Sequence, residues 1–340
     1  MSITGGVFSE TILKNAQIKA DMIWKDRIQN EDYTADVGVL QALLANQTAR
    51  ITPIEGRKDL SVEISWVNAC DVDDQACNPC VYSGTELSTN MDTKTLDTCR
   101  ESVFYVNDAD FRNNLMDPED IIAKGYIATD KALSEYLAGL SVAWLNLNDG
   151  VNELGTMAQG TVVGNTTQIA PEHWDANLMA YFVQVAQRNH FNVPYLISGN
   201  QLFQQVWVAG KEYGNADGKG NVAKFGTFKT YFDLFNIDAA NIGTGYITYL
   251  VNKGAFAMGN KTYYGPGITK YMDRWAWSRP SMFLPGISYD VEYKNECDTY
   301  TGSGPAAQTH YFKLTVNAGM FLNPLGCDSD RTGILSFICV

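Results

Sequence analysis

The first thirty residues carry a helical pattern. Ile12, Leu13, Ala16, Ala20, Ile23 and Trp24 recur at i, i+3/i+4 spacing, which lays one narrow apolar stripe along a helix. Ser9 precedes the stripe as an N-cap. Residues 36–48 give a second short helix through Val39, Leu40, Leu43 and Leu44, and the polar Asn30, Glu31, Asp32 and Tyr33 join the two. Such a pair reads either as an arm laid on another body or as a helical hairpin on the chain's own domain. From Ile51 the period changes. Leu60, Val62, Ile64 and Trp66 alternate with Ser61, Glu63 and Ser65, the pattern of a half-buried strand. A second strand is expected at residues 101–106. Residues 68–100 between them are polar and acidic, a stretch longer than structureless loops usually run in compact domains. Residues 57–107 therefore read as a long two-stranded excursion.

The clearest helix follows. Thr129 is a suitable N-cap, with Asp130 in the first turn. Leu133, Tyr136, Leu137, Leu140, Trp144 and Leu147 form its apolar face, and Gly150 fits the position past its end. About 20 residues make a rod of roughly 30 Å, which needs a sheet or helix beneath it. A Gly/Thr-rich joint at 155–168 leads to Pro171 at a helix start, with Trp174, Leu178, Tyr181, Phe182 and Val185 as the apolar face. A short buried strand at Pro194–Ser198, a helix at 200–208 and a glycine-rich loop (Gly214, Gly218, Gly220) come next. Further strands are expected at 245–251, 255–259, 289–293, 310–316 and 334–339. The predicted class is α+β, without internal repeats.

Composition narrows the function classes. The 340 residues suit one large or two ordinary domains. Lys+Arg 25 against Asp+Glu 38 gives a net charge of −13. Proteins that grip phosphate backbones show a basic balance or stripe, so sequence-specific nucleic-acid binding is not expected. No apolar run reaches the ~18 residues of a membrane helix. The first thirty residues lack a basic stretch followed by an apolar core, so no signal peptide is expected. Without secretion, the Asn-x-Thr sequons at Asn46, Asn165 and Asn260 carry little meaning. Seven cysteines, at 70, 77, 80, 99, 297, 327 and 339, are an odd number and read as mostly free thiols.

The chain's near-matches to chemical motifs fall short. Cys77 and Cys80 form a C-x-x-C flanked by Cys70 and Cys99. A zinc ribbon needs two such pairs, and a redox pair needs a helix N-terminus, so loop cysteines are the reading. Residues 214–220 imitate a phosphate-binding loop, but one residue is missing between the glycines and Gly220 stands where Ser or Thr should bind Mg²⁺. A calcium loop there fails at Lys219 and Gly226. Asp71, Asp73 and Asp74 read as a solvated loop. His173, His190 and His310 read as caps or packed imidazoles. Trp275, Trp277 and Pro280 read as core or interface, with Arg279 stacked among them. No catalytic, cofactor-binding or metal residues are expected, and the chain reads as an assembly subunit rather than an enzyme.

The order of these segments resembles that of the HK97-fold major capsid proteins of tailed, double-stranded DNA phages, over nearly the whole length. The family has no short diagnostic motif, and the resemblance rests on the sum of segments. It implies an N-terminal arm at 1–50, an extended loop at 51–115, a peripheral domain with its spine helix at 116–164, an axial domain at 165–270 and return strands at 271–340. It implies hexamers and pentamers in an icosahedral shell around double-stranded DNA, held by weak non-specific contact. Portal, scaffolding and decoration proteins are the implied partners, with no membrane. The implied place is the virion, assembled in the bacterial host cytoplasm. Some members cross-link through a Lys–Asn isopeptide bond; Lys94 lies in the expected loop and reads as a loop lysine. The alternatives are a tail or decoration protein, an encapsulin-like shell, and a thiol or zinc enzyme using Cys77 and Cys80. The expected assembly edge is the strand from Leu60 to Trp66. On that reading Val62→Asp or Trp66→Asp blocks shells and leaves the subunit folded.

Overall fold

The computed structural model describes residues 8–30, 35–53, 60–68, 88–107, 117–151, 160–174, 178–200, 202–203, 222–225, 228–240, 247–297, 308–323 and 332–340. Its elements run α1 (Glu10–Asn30), α2 (Gly38–Ala45), β1 (Arg50–Pro53), β2 (Ser61–Asn68), β3 (Ser88–Thr95), β4 (Thr98–Asn107) and α3 (Pro118–Leu147). Then come β5 (Thr161–Val163), β6 (Thr166–Ile169), a 3-10 turn at Pro171–His173, α4 (Leu178–Arg188), β7 (Pro194–Ser198), β8 (Val222–Phe225), β9 (Phe228–Phe232) and α5 (Asn236–Ala240). The chain closes with β10 (Ile247–Asn252), β11 (Phe256–Asn260), β12 (Thr269–Tyr271), β13 (Arg274–Pro280), β14 (Ser288–Cys297), β15 (Gln308–Leu322) and β16 (Ile334–Cys339). The mixture is α+β, as the sequence predicts. Two compact units divide it: residues 1–35, 96–137 and 260–319 form the first, and residues 36–95, 138–259 and 320–340 the second.

The first unit is built on an antiparallel sheet in the order β4–β15–β14–β13–β12. Its inward rows are aromatic and aliphatic: Phe104 opposite Phe312 opposite Tyr293, and Leu314 opposite Val291 opposite Trp277. Helix α1 lies on this unit. Ser9 opens it as predicted, its hydroxyl oxygen accepting the Ile12 amide at 3.4 Å. Leu13, Ala16 and Ala20 of its stripe are fully buried. Lys19 reaches Asp117, Glu119 and Asp120 at 3.0–3.6 Å, and Phe8 stacks on His310 with centroids 4.0 Å apart. The apolar stripe of α1 is buried on the first unit, while α2 belongs to the second.

Helix α3 starts eleven residues before the predicted Thr129. Its cap is Asp117, whose carbonyl accepts the Asp120 amide at 3.0 Å, and Pro118 takes the first helical position, where its missing N–H costs nothing. Thr129 lies inside the helix and donates its hydroxyl back to Gly125 O at 2.7 Å. Gly125 is fixed by packing: a Cβ there would stand 2.4 Å from Phe104 Cε2.

The second unit holds a seven-stranded sheet in the order β5–β6–β16–β10–β7–β9–β8. Helix α4 covers one face with Leu178, Phe182 and Val185, against Leu196, Leu250, Leu335 and Phe337. On the same unit Trp144 of α3 packs edge-on against Phe256 at 5.1 Å, and Tyr249 donates to Asn146 Oδ1. Strand β10 is buried at every position, so its apolar run is continuous rather than alternating. Helix α2 is pinned here: the Val39 amide donates to Asp233 Oδ2 at 3.0 Å, and Gln47 Oε1 accepts the Met258 amide at 3.1 Å.

Candidate assembly surfaces

The expected two-stranded excursion is present with a different partner. Strand β2 pairs antiparallel with β3, Ser61 opposite Thr95 and Asn68 opposite Ser88. The segment at 101–106, expected to pair with β2, belongs to β4 and pairs with β15 in the first unit, Tyr105 opposite Tyr311. The reason is chemical. Ser88–Thr95 reads STNMDTKT, with no apolar alternation, yet its β-branched threonines suit an extended backbone.

Strand β2 is also not an edge. It lies between β1 and β3, with Ile64 opposite Ile51 on one side and Asp92 on the other. Val62 and Ile64 are buried in the free chain. The expectation that Val62→Asp leaves the subunit folded is therefore corrected: an unpaired charge buried there costs several kcal/mol. The Trp66 side chain lies outside the described residues. The edges of this sheet among the described residues are β1 and β3. Lys94 sits on β3 and pairs with Asp92 at 2.5 Å, both partly exposed. A charged pair on a polar edge strand discourages indiscriminate pairing.

A second surface is the outward face of the first unit's sheet. On the edge strand β4, Val103 is 51% and Tyr105 62% exposed. Beside them a charged ladder crosses the strands: Glu101 to Lys313 at 3.5 Å, Lys313 to Glu292 at 3.2 Å, Glu292 to Arg274 at 3.3 Å. Tyr264 adds its hydroxyl to Glu292 at 2.7 Å. Burial pushes the Glu292 carboxyl up, but the Tyr264 hydroxyl and the Lys313 and Arg274 cations outweigh it and hold it below the usual range. Two residues back, Asp290 accepts the amides of Tyr263 and Tyr264 at 2.9–3.0 Å. Burial outweighs those bonds and raises its pKa.

The other residues singled out in the sequence fall apart in space or outside the described residues. Cys70, Cys77 and Cys80, the acidic run at 71–74 and the loop at 214–220 lie outside them. Cys99 is a free, exposed thiol on β4. His173 ends the 3-10 turn, and His190 has a positive φ of 57° just past α4. His310 is buried, its Nδ1 2.8 Å from the Tyr293 hydroxyl. Trp275, Trp277 and Arg279 lie on β13. Arg279 stands over the ring of Tyr126 at 5.4 Å rather than over the tryptophans. Sequence reading missed Asp130, which is buried in the middle of α3. Its carboxylate accepts Met282 N–H at 2.7 Å, Ser281 Oγ–H at 2.8 Å and Ser134 Oγ–H at 3.1 Å. No sequence signal marks it, because an aspartate after a threonine reads as a capping pair.

No protein-family model and no curated protein sequence matches the chain. Among solved structures, the chain is similar to the capsid of cyanophage P-SCSP1u, at 12% identity and TM-score 0.47, over 87% of this chain and 86% of that one. It is similar to the capsid asymmetric unit of cyanophage Pam1, at 9% identity and TM-score 0.45, over 84% and 86% of the two chains. It is also similar to the capsid of the myovirid phage XM1, at 9% identity and TM-score 0.41, over 99% and 100%. These are phage capsid structures, and what this chain shares with them is a similar course of the backbone.

Proposed function

We propose that the chain is a major capsid protein of the HK97 type, which assembles into hexamers and pentamers of an icosahedral shell around double-stranded phage DNA. The observation that carries this reading is the β1–β2–β3 sheet. Its apolar residues Val62 and Ile64 are satisfied at home, while the outer strand β3 offers a polar backbone edge with no partner among the described residues. Such an edge supports main-chain pairing with a neighbour, with side chains setting the register. Repeated around a closed ring, weak contacts of this kind multiply.

In this reading residues 51–115 serve as the extended loop, 116–164 and 271–340 as the peripheral domain, and 165–270 as the axial domain. The N-terminal segment 1–50 serves as the arm, its two helices presenting their outer faces to neighbours. The role is structural rather than catalytic, the place is the virion, and portal, scaffolding and decoration proteins are its partners. The net charge of −13 suits a shell that holds DNA without gripping it.

The test is negative-stain electron microscopy of the sedimentable fraction from cells expressing the chain, with and without a co-expressed scaffold candidate. Closed shells, tubes or ring-shaped capsomers are expected. A monomer or dimer under both conditions overturns the reading. A cargo enzyme that co-purifies with shells would move it to an encapsulin-like compartment.

A further inference from the structure

Four polar groups of the first unit are buried with no hydrogen-bond partner among the described residues: Gln17 Nε2, Tyr126 OH, Trp277 Nε1 and Arg279 Nη1. The contacts around them set their placement. Phe8, just before the helix, stacks on Tyr293 at 5.7 Å, which stands opposite Trp275, and Asp21 Oδ1 meets Arg279 Nη2 at 2.6 Å. Helix and strand therefore advance in the same direction. Gln17 is one turn back from Asp21, about 6 Å along the helix. Trp277 is two residues back from Arg279 on the same face of β13, about 6.6 Å along the strand. Counted this way, Gln17 comes to the level of Trp277 along the strand, and the Tyr126 ring of α3 lies beneath the Arg279 guanidinium at 5.4 Å.

The chemistry of the group is one-sided. Three of the four are N–H donors that cannot accept, and the Tyr126 oxygen is the sole acceptor among them. Arg279 carries a full charge at 5% exposure. Its carboxylate partner, Asp21, has a side chain 58% exposed and engages Nη2. A water molecule here would find donors for its oxygen but a single acceptor for its two protons. An anion accepts from all four groups and completes the pairing of the guanidinium, and a buried donor left unmade carries its whole desolvation cost.

We propose that this seam between α1, α3 and β13 binds a small monovalent inorganic anion, chloride being the abundant case. The site joins Gln17 to Trp277 and Arg279, and so ties the docking of α1 to the anion.

Chloride-35 NMR line broadening of the full chain tests the proposal, together with thermal unfolding in sodium chloride and in sodium gluconate at equal ionic strength. Expected are excess broadening that bromide competes away and a higher unfolding midpoint in chloride. Gln17→Glu places a fixed carboxylate in the seam and should abolish both effects. Gln17→Ala removes one donor and should weaken chloride binding about tenfold, the effect of losing one hydrogen bond to a charged acceptor. It carries the test if Gln17→Glu does not fold. Absence of broadening in the wild-type chain, or equal broadening in wild type and both variants, overturns the proposal. The donors would then be met by water, or by a Gln17 amide turned to present its oxygen.

Discussion

The Asp130 carboxylate on α3 accepts the Met282 amide at 2.7 Å, and this bond pins the turn between β13 and β14 to the long helix. The rest of the turn is organised around Ser281, whose hydroxyl also donates to Asp130 and accepts the amides of Phe283 and Leu284 at 3.0–3.1 Å. Tyr289 and Ser134 join the network through their hydroxyls, 2.9 Å apart. A carboxylate buried to 2% exposure and held by neutral donors is stable in place but costly to ionise.

Burial therefore raises the Asp130 pKa, and the Met282, Ser281, Tyr289 and Ser134 bonds recover only part of the shift. A carboxyl whose folded pKa exceeds its unfolded one stabilises the protein below the ordinary carboxylate range. That contribution is lost as pH rises through the folded value. Asp130→Asn keeps an acceptor for Met282 and removes the charge, but turns an amide N–H toward serine hydroxyls that donate to Asp130 in the wild type. Whatever that constant cost, its stability relative to wild type should rise from pH 5 to pH 8. Asp130→Ala strands the Met282 amide and should cost about 1–3 kcal/mol at the acid end, and less as pH rises and the wild type loses its own contribution. Urea unfolding of the two variants between pH 5 and 8 checks both; a wild-type advantage over Asp130→Asn that grows with pH would contradict the account.

Glu292 titrates with the opposite sign. Its folded pKa is lowered, so its contribution is present above the ordinary carboxylate range and fades as pH falls through the lowered value. Glu292→Gln should lose a few tenths to about 1 kcal/mol at neutral pH, the usual size for a partly exposed network. It should also flatten the acid limb of the stability curve below about pH 4. Removing Glu292 and Lys313 together should cost less than the sum of the single changes, since they meet at 3.2 Å.

Two glycines on α3 should respond oppositely to alanine. Gly139 is exposed with no atom within 4 Å of an added Cβ, so Gly139→Ala should raise stability by about 0.5–1 kcal/mol through helix propensity. Gly125→Ala drives the new methyl into the Phe104 ring and should lower stability by about 1–3 kcal/mol. Gly125→Ala combined with Phe104→Leu should recover part of that loss. If the two alanine variants moved in the same direction, the close packing of Phe104 on the helix would be in doubt.

Elements with strong apolar periodicity were legible in the sequence, and those held by backbone alone were not. The stripes of α1 and α2, the Leu178–Val185 part of the α4 stripe and the buried strands Pro194–Ser198 and Ile334–Cys339 coincide with their predicted positions, whereas Pro171 opens a 3-10 turn and Trp174 follows it. Strand β3 did not announce itself, because its partner supplies the apolar side of the hairpin. Strand β13 was hidden by its composition: Trp275, Trp277 and Arg279 share one face, and an arginine on an inward face breaks the expected alternation. The start of α3 was signalled by Asp117 and Pro118, but Thr129 offered a competing cap and stood closer to the leucine run. Pairing of β4 with β15 joins residues about 200 apart, a distance that no local pattern encodes.

The corrected pairing changes which residues should govern assembly. Val62 lies in the central strand and is buried, so Val62→Asp should damage the fold itself, seen as a lower unfolding midpoint and insoluble subunits. Thr93 and Thr95 lie on the edge strand β3 and are exposed. A lysine at either site adds charge to the edge without disturbing a core. Thr93→Lys and Thr95→Lys should keep the wild-type stability within about 0.5 kcal/mol, the usual range for surface changes, yet reduce or abolish sedimentable shells. Both read out in one experiment: thermal unfolding of the soluble subunit beside electron microscopy of the pellet. Normal shells from the doubly substituted chain would move the assembly contact away from β3. The outward face of β4 around Val103 and Tyr105 would then be the surface to alter.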